Sequence, residues 1–262
     1  MSSLTASESA ARATYALRLG DDALVLSHRL AEWCANGPEI EEDIALTNIA
    51  LDLLGQARSL LTYAGECEGA ATGTARSEDD LAYLRDERDI TNLQIVELPN
   101  GDFARTVVRQ LFVSTYLHAL YARLVDSRDE TLAAVAAKAV KEVAYHREHA
   151  GAWTVRLGDG TEESHRRTQE AVDWLWPYVD EMFRSDGLEQ SLVEAGVAVD
   201  VGTLRDAWAE QVARVLEEAT LTLPDGTWTA PGGGRTGLHT EHLGYLLAEM
   251  QHLHRAHPGA TW

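Results

Sequence analysis

The chain has 262 residues, 45% hydrophobic and 24% charged, a composition that excludes a disordered chain and supplies enough apolar surface for a sizeable core. Acidic residues outnumber basic ones 42 to 22, a net charge of −20. This disfavours a phosphate-tracking nucleic-acid binder or an anionic membrane as partner, since both call for a basic face. Two cysteines make no disulfide framework, no run approaches the roughly 18 apolar residues of a spanning helix, and the N-terminal stretch has no apolar centre of signal-peptide type. The expectation is a cytoplasmic protein without nucleic-acid or membrane partners.

Strand signals are nearly absent, and helical ones recur along the whole chain. A first helix reads from Asp21 to about Cys34 and can continue back across Gly20 to Ala10. Pro38 and the acids Glu39, Glu41, Glu42 and Asp43 suit the start of a second helix, which is expected to stop near Gly65. The small and polar stretch from Cys67 to Asp80 reads as a loop. Short helical pieces follow at 80–86 and 90–98, closed by Pro99. Asp102 can cap a helix to about Val125, and Ser127 or Asp129 one to about Arg156. Helices at 162–183 and 203–221, a Gly/Pro loop over 222–236 and a last helix from near Thr240 complete the pattern. Four long helices with further ones behind them predict a single all-α bundle over 1–262, with residues 1–12 as a tail.

The second helix is apolar around most of its circumference, so it is expected to be buried among other helices. Within that sheath Asn48, Asp52 and Gln56 form a polar stripe at i, i+4, i+8. The helix after Asp129 carries Lys138, Glu142, Tyr145, His146 and His149, and the first helix carries His28 and Glu32. Inward acids and histidines on four helices are the pattern of carboxylate-bridged dimetal bundles, which take a Glu from each of two helices and Glu-x-x-His from each of the other two. Here the positions that would serve are Glu32, Asp52-x-x-Gly55, a residue near Ser114–His118, and Glu142-x-x-Tyr145. Glycine has no ligand atom, tyrosine is a poor substitute for imidazole, and His146 lies one residue late, about 100° round the helix. Two readings stand: a dimetal site that no longer holds two metals, or satisfied polar residues unrelated to metal. The literal matches Glu162-x-x-His165 and Glu249-x-x-His252 read as exposed helix faces. Aromatic residues are enriched at interfaces, which singles out Trp174, Trp176 and Trp228.

Several longer segments carry a resemblance: YALRLGDDALVLSHRLAEWC (15–34), EIEEDIALTNIALDLLGQAR (39–58), LRDERDITNLQIVELPNGDFA (84–104), KAVKEVAYHREHAGAW (138–153), GVAVDVGTLRDAW (196–208) and GLHTEHLGYLLAEMQ (237–251). Together they resemble the structural-subunit family of bacterial phenylacetyl-CoA epoxidases, also called phenylacetate-CoA oxygenases, over essentially the whole chain after its first dozen residues. The resemblance implies a ferritin-like four-helix bundle with additional C-terminal helices. It implies a non-catalytic subunit without a cofactor of its own, bound to a paralogous ferritin-like catalytic subunit that carries the di-iron centre. That complex epoxidises phenylacetyl-CoA with O₂ and with electrons from NADPH through a separate reductase subunit. The alternative is a dimetal oxygenase or oxidase acting alone.

Two placements follow for such a subunit. One of the only two lysines, Lys138 and Lys141, is expected to supply buried positive charge to Asp52 or Glu142 in place of metal, the other reading being an exposed i, i+4 pair from Lys138 to Glu142. The partner contact is expected to include 237–251, where His239, Glu241 and His242 cluster at a helix start, with Trp228 in the loop before it.

Overall fold

The computed structural model describes residues 5–226 and 228–260, and among them there are helices and no strands. Helix α1 (Ala6–Ala31) runs unbroken through Gly20. It begins inside the segment expected to be a tail because Thr5 and Glu8 form a reciprocal capping box. Helix α2 (Ile40–Thr72) continues past Gly65 for almost two turns, so the expected loop shrinks to a short return before α3 (Glu78–Tyr83) and α4 (Gln94–Glu97). Asp102 and Asp129 cap α5 (Phe103–Leu124) and α6 (Glu130–Gly158) as their positions predict. Helix α7 (Glu162–Leu175) tightens into a 3₁₀ segment, Trp176–Phe183, at Pro177, which lacks the amide an α-helix would need. Helix α8 (Gly187–Glu194), capped by Asp186, has no counterpart in the sequence reading. Helices α9 (Arg205–Glu218) and α10 (Glu241–Ala256) lie where expected.

The chain forms two compact units that interleave along the sequence. The first contains the described residues up to Cys34, Leu46–Pro99 and those from Gly233 on; the second contains Ala35–Ala45 and Asn100–Gly232. In the first unit α1 and α2 approach closely at Gly20, where a Cβ would stand 2.9 Å from Leu61. Ser27 Oγ donates to the Ala50 carbonyl at 2.7 Å, which satisfies a buried hydroxyl. Helix α10 packs against α1, α3 and α4, burying Leu243, Leu246 and Leu247. Each such leucine contributes about 1.5–3 kcal/mol relative to leaving it in water.

In the second unit α5 is the central element, packed against α6, α7 and α9. An aromatic cluster joins α5, the 3₁₀ segment and α9. Phe112 lies 5.9 Å from Trp176 and 5.6 Å from Trp208, while Phe183 lies 5.4 Å from Trp208 and 5.8 Å from Tyr116. Trp208 Nε1 donates to the Phe112 carbonyl at 2.8 Å, so the one polar atom of that indole is not left unpaired. Trp176, half-buried, thus has aromatic partners within its own chain. Trp174 likewise lies beneath the Arg105 guanidinium, 4.9 Å from the ring centre.

Candidate functional site

The residues of the dimetal pattern fall in different settings. On the C-terminal side of α1, Glu32 is exposed and paired with Arg29 at 2.7 Å. Asp52 and Gly55 sit partly buried on α2. On α6, His146 is buried, Tyr145 is half exposed, and Glu142 pairs with Lys138 at 3.2 Å. His149, one turn on, meets Glu42 at 2.8 Å. Among the described residues no group of three or more His, Cys, Asp or Glu side chains is placed to hold a metal ion. An outward Glu32, a glycine and a half-exposed tyrosine do not fit a dimetal centre.

The lysine expectation is corrected. Lys138 is 71% exposed and Lys141 is exposed as well. Both stand on the outer face of α6, where an ammonium keeps its hydration, and the Lys138–Glu142 contact is the ordinary surface pair worth about 0.3–0.5 kcal/mol.

The most heavily bonded polar site lies in the first unit and has no counterpart in the sequence reading. Asp21 and Asp22, consecutive in α1, are both buried. Asp21 takes both terminal nitrogens of Arg85, and the Thr91 amide and hydroxyl donate to it at 2.8 and 3.0 Å. Asp22 receives Arg235 at 3.0 and 2.7 Å and the Leu93 amide at 2.7 Å. Burial pushes the Asp22 carboxyl up to about 6, against the pull of Arg235 and the Leu93 amide. Glu97, fully buried in α4, accepts from Asn92 Nδ2, His239 Nδ1 and the Thr240 amide. His239 Nε2 lies 2.8 Å from the Ile90 carbonyl, and Arg29 donates twice to the carbonyl of Glu97. The network ties the irregular stretch around α4 to α1 on one side and to the entry of α10 on the other. Its carboxylates are occupied by donors and shut away from solvent, so it positions backbone; it does not offer an acid or base to a substrate. The signal that could have found it is the pair Asp21–Asp22 inside the apolar run ALRLGDDALVL, since adjacent acids there must have buried partners.

The interface candidates separate too. Trp228 is 62% exposed, edge-on to Tyr178 at 6.4 Å, and Glu241 is exposed. His242 is half-buried, and its carbonyl accepts from Arg29. The side chain of His239, however, is fully buried in the Glu97 pair, which corrects its placement as a contact residue: it faces inward. Helix α2 also departs from expectation. It is not sheathed all round, because Ile40, Ile44, Leu51 and Leu54 are exposed. No helix among the described residues is long and apolar enough to cross a membrane.

The fold places the chain first among all-α, ferritin-like proteins built on long helices, with α1, α2, α5 and α6 as the longest. A family model described as "Phenylacetic acid catabolic protein" matches residues 2–262, and the chain belongs to that family. It is 50% identical over 248 residues to one subunit of the 1,2-phenylacetyl-CoA epoxidase of Escherichia coli (strain K12), an alignment covering 95% of this chain and 98% of that one.

Proposed function

We propose that this chain is a non-catalytic subunit of a cytoplasmic phenylacetyl-CoA epoxidase in aerobic phenylacetate breakdown. Its task is to pack against a paralogous ferritin-like subunit and stabilise it, the di-iron centre belonging to that subunit and the electrons arriving through a reductase subunit. The observation that carries the reading is the 50% identity to an epoxidase subunit across nearly the full length of both chains. Three features of this chain support its non-catalytic part: no side-chain ligand at Gly55, a half-exposed Tyr145, and a Glu32 committed to Arg29 at the surface. The acidic surface suits a protein partner with basic or locally complementary patches, with no role for nucleic acid or membrane.

The test is co-expression with the candidate catalytic subunit, followed by sizing and by iron analysis of each separated chain. A co-eluting complex with iron only in the partner is the expected result. A lone chain that binds a pair of irons and consumes O₂ would establish the stand-alone dimetal enzyme instead.

A further inference from the structure

Leu51 and Leu54 stand three residues apart on α2 and are 58% and 41% exposed. Single exposed leucines are ordinary, but Leu54 also lines a cleft of about 270 Å³ in the first unit. Leu24, Ala57, Leu61 and Ala82 are buried residues of its apolar wall, and half-buried Tyr83 joins them. Its polar lining is Arg58, Glu78 and Asp79. Arg58 is spent on Glu78 at 3.3 Å, whereas Asp79 is exposed and makes no hydrogen bond or ion pair among the described residues. Two carboxylates against one guanidinium leave the cleft negative, on a chain whose net charge is already −20.

These features select one occupant. A cleft between two helices takes a ridge of side chains from a third, and this volume admits a large side chain or two. A second copy of this chain docked with the cleft on a two-fold axis would bring the same acidic rim against itself, and any other approach would bring a chain of net charge −20 to a negative cleft, so like charges repel. We propose that the α2–α3 cleft is the docking point for a helix of a partner epoxidase subunit. That helix presents an aliphatic or aromatic side chain to Leu54 and an arginine or lysine to Asp79. The assignment rests on the subunit reading and adds to it a place and a partner chemistry.

The test uses the full chain and the catalytic subunit, with affinity measured by titration at two salt concentrations. Leu54→Gln and Asp79→Lys are each expected to weaken binding at least tenfold. Asp79→Lys should also lose part of the salt dependence, and Asp79→Glu should bind like the wild type. Both positions carry exposed side chains, so the circular dichroism and melting temperature of the isolated variants should match the parent chain. If the wild type binds and Leu54→Gln and Asp79→Lys bind equally well, the cleft is not the docking point, although the subunit role stands. If the wild type does not associate at all, the subunit reading fails and the docking assignment falls with it.

Discussion

His239 has an acceptor at each ring nitrogen: the Glu97 carboxylate at Nδ1 and the Ile90 carbonyl at Nε2, both at 2.8 Å. Only the imidazolium can donate to both. Burial opposes that charge, but the hydrogen bond to Glu97 and its negative charge outweigh it, and the His239 pKa is raised above the ordinary histidine value. A raised folded-state pKa means that this group stabilises the fold fully below about pH 6.5 and loses that contribution as pH rises through the raised value. Asp22 acts in a lower window. Its carboxyl is raised from 3.8 to about 6, so its share of the stability falls as pH rises between those two values. The urea midpoint should therefore drop on going from neutral to alkaline pH, and Glu97→Gln should flatten that part of the profile. The same substitution should cost about 3–5 kcal/mol near pH 6, because it strips the partner from a buried charge. Matching pH profiles for wild type and Glu97→Gln would rule out a charged His239. By the same geometry His239→Ala reports on folding and not on partner contact.

Helix α2 shows what a glycine can mean inside a helix. At Gly65 an added Cβ would stand 2.0 Å from the Arg76 carbonyl, so the chain returning from α2 toward α3 can lie against the helix only where the side chain is missing. Gly65→Ala gains intrinsic helix propensity of about 1 kcal/mol, yet it must push this return away. The expected balance is a loss of about 1–3 kcal/mol, the usual cost of overpacking, read by denaturant unfolding. A stabilised Gly65→Ala variant would mean that the return moves freely. The sequence alone ends α2 at this glycine because composition cannot distinguish a terminating glycine from one that makes room. Where local chemistry decides, sequence and structure agree: Asp102, Asp129 and Thr240 cap their helices, and α1 runs through Gly20. Where distant partners decide, they part. Arg235 reaches Asp22 across 213 positions and His239 reaches Glu97 across 142, and no periodicity carries that information. The histidine before α10 reads as a surface group because its acceptors belong to another segment. The lysines read as buried only if the stripe on α6 faces inward along its whole length, and it does not.

At the scale of the whole molecule, this chain engages its buried carboxylates Asp21, Asp22 and Glu97 with arginines, a histidine and backbone amides, and leaves apolar side chains of α2 in water. The tag-free chain is accordingly expected to bind no stoichiometric pair of irons and to show no oxygenase activity alone. Elemental analysis finding a full pair, with an oxo-bridged absorption band, would contradict this. Assembly then has an energetic consequence that follows from mass action. A partner that binds only the folded form stabilises it by about 2.7 kcal/mol at a free concentration one hundred times Kd, and the linkage is reciprocal. At roughly 2–4 °C per kcal/mol for a domain of 150–250 residues, the catalytic subunit should melt several degrees higher when this chain is added in excess. The shift should grow with the logarithm of the added concentration, as a binding equilibrium requires and a crowding effect does not. Adding Leu54→Gln instead should move that curve to higher concentration without changing its form. A catalytic subunit whose melting temperature ignores this chain, while sizing shows the two together, would mean that the complex forms equally well from its unfolded state, and a stabilising role would be lost.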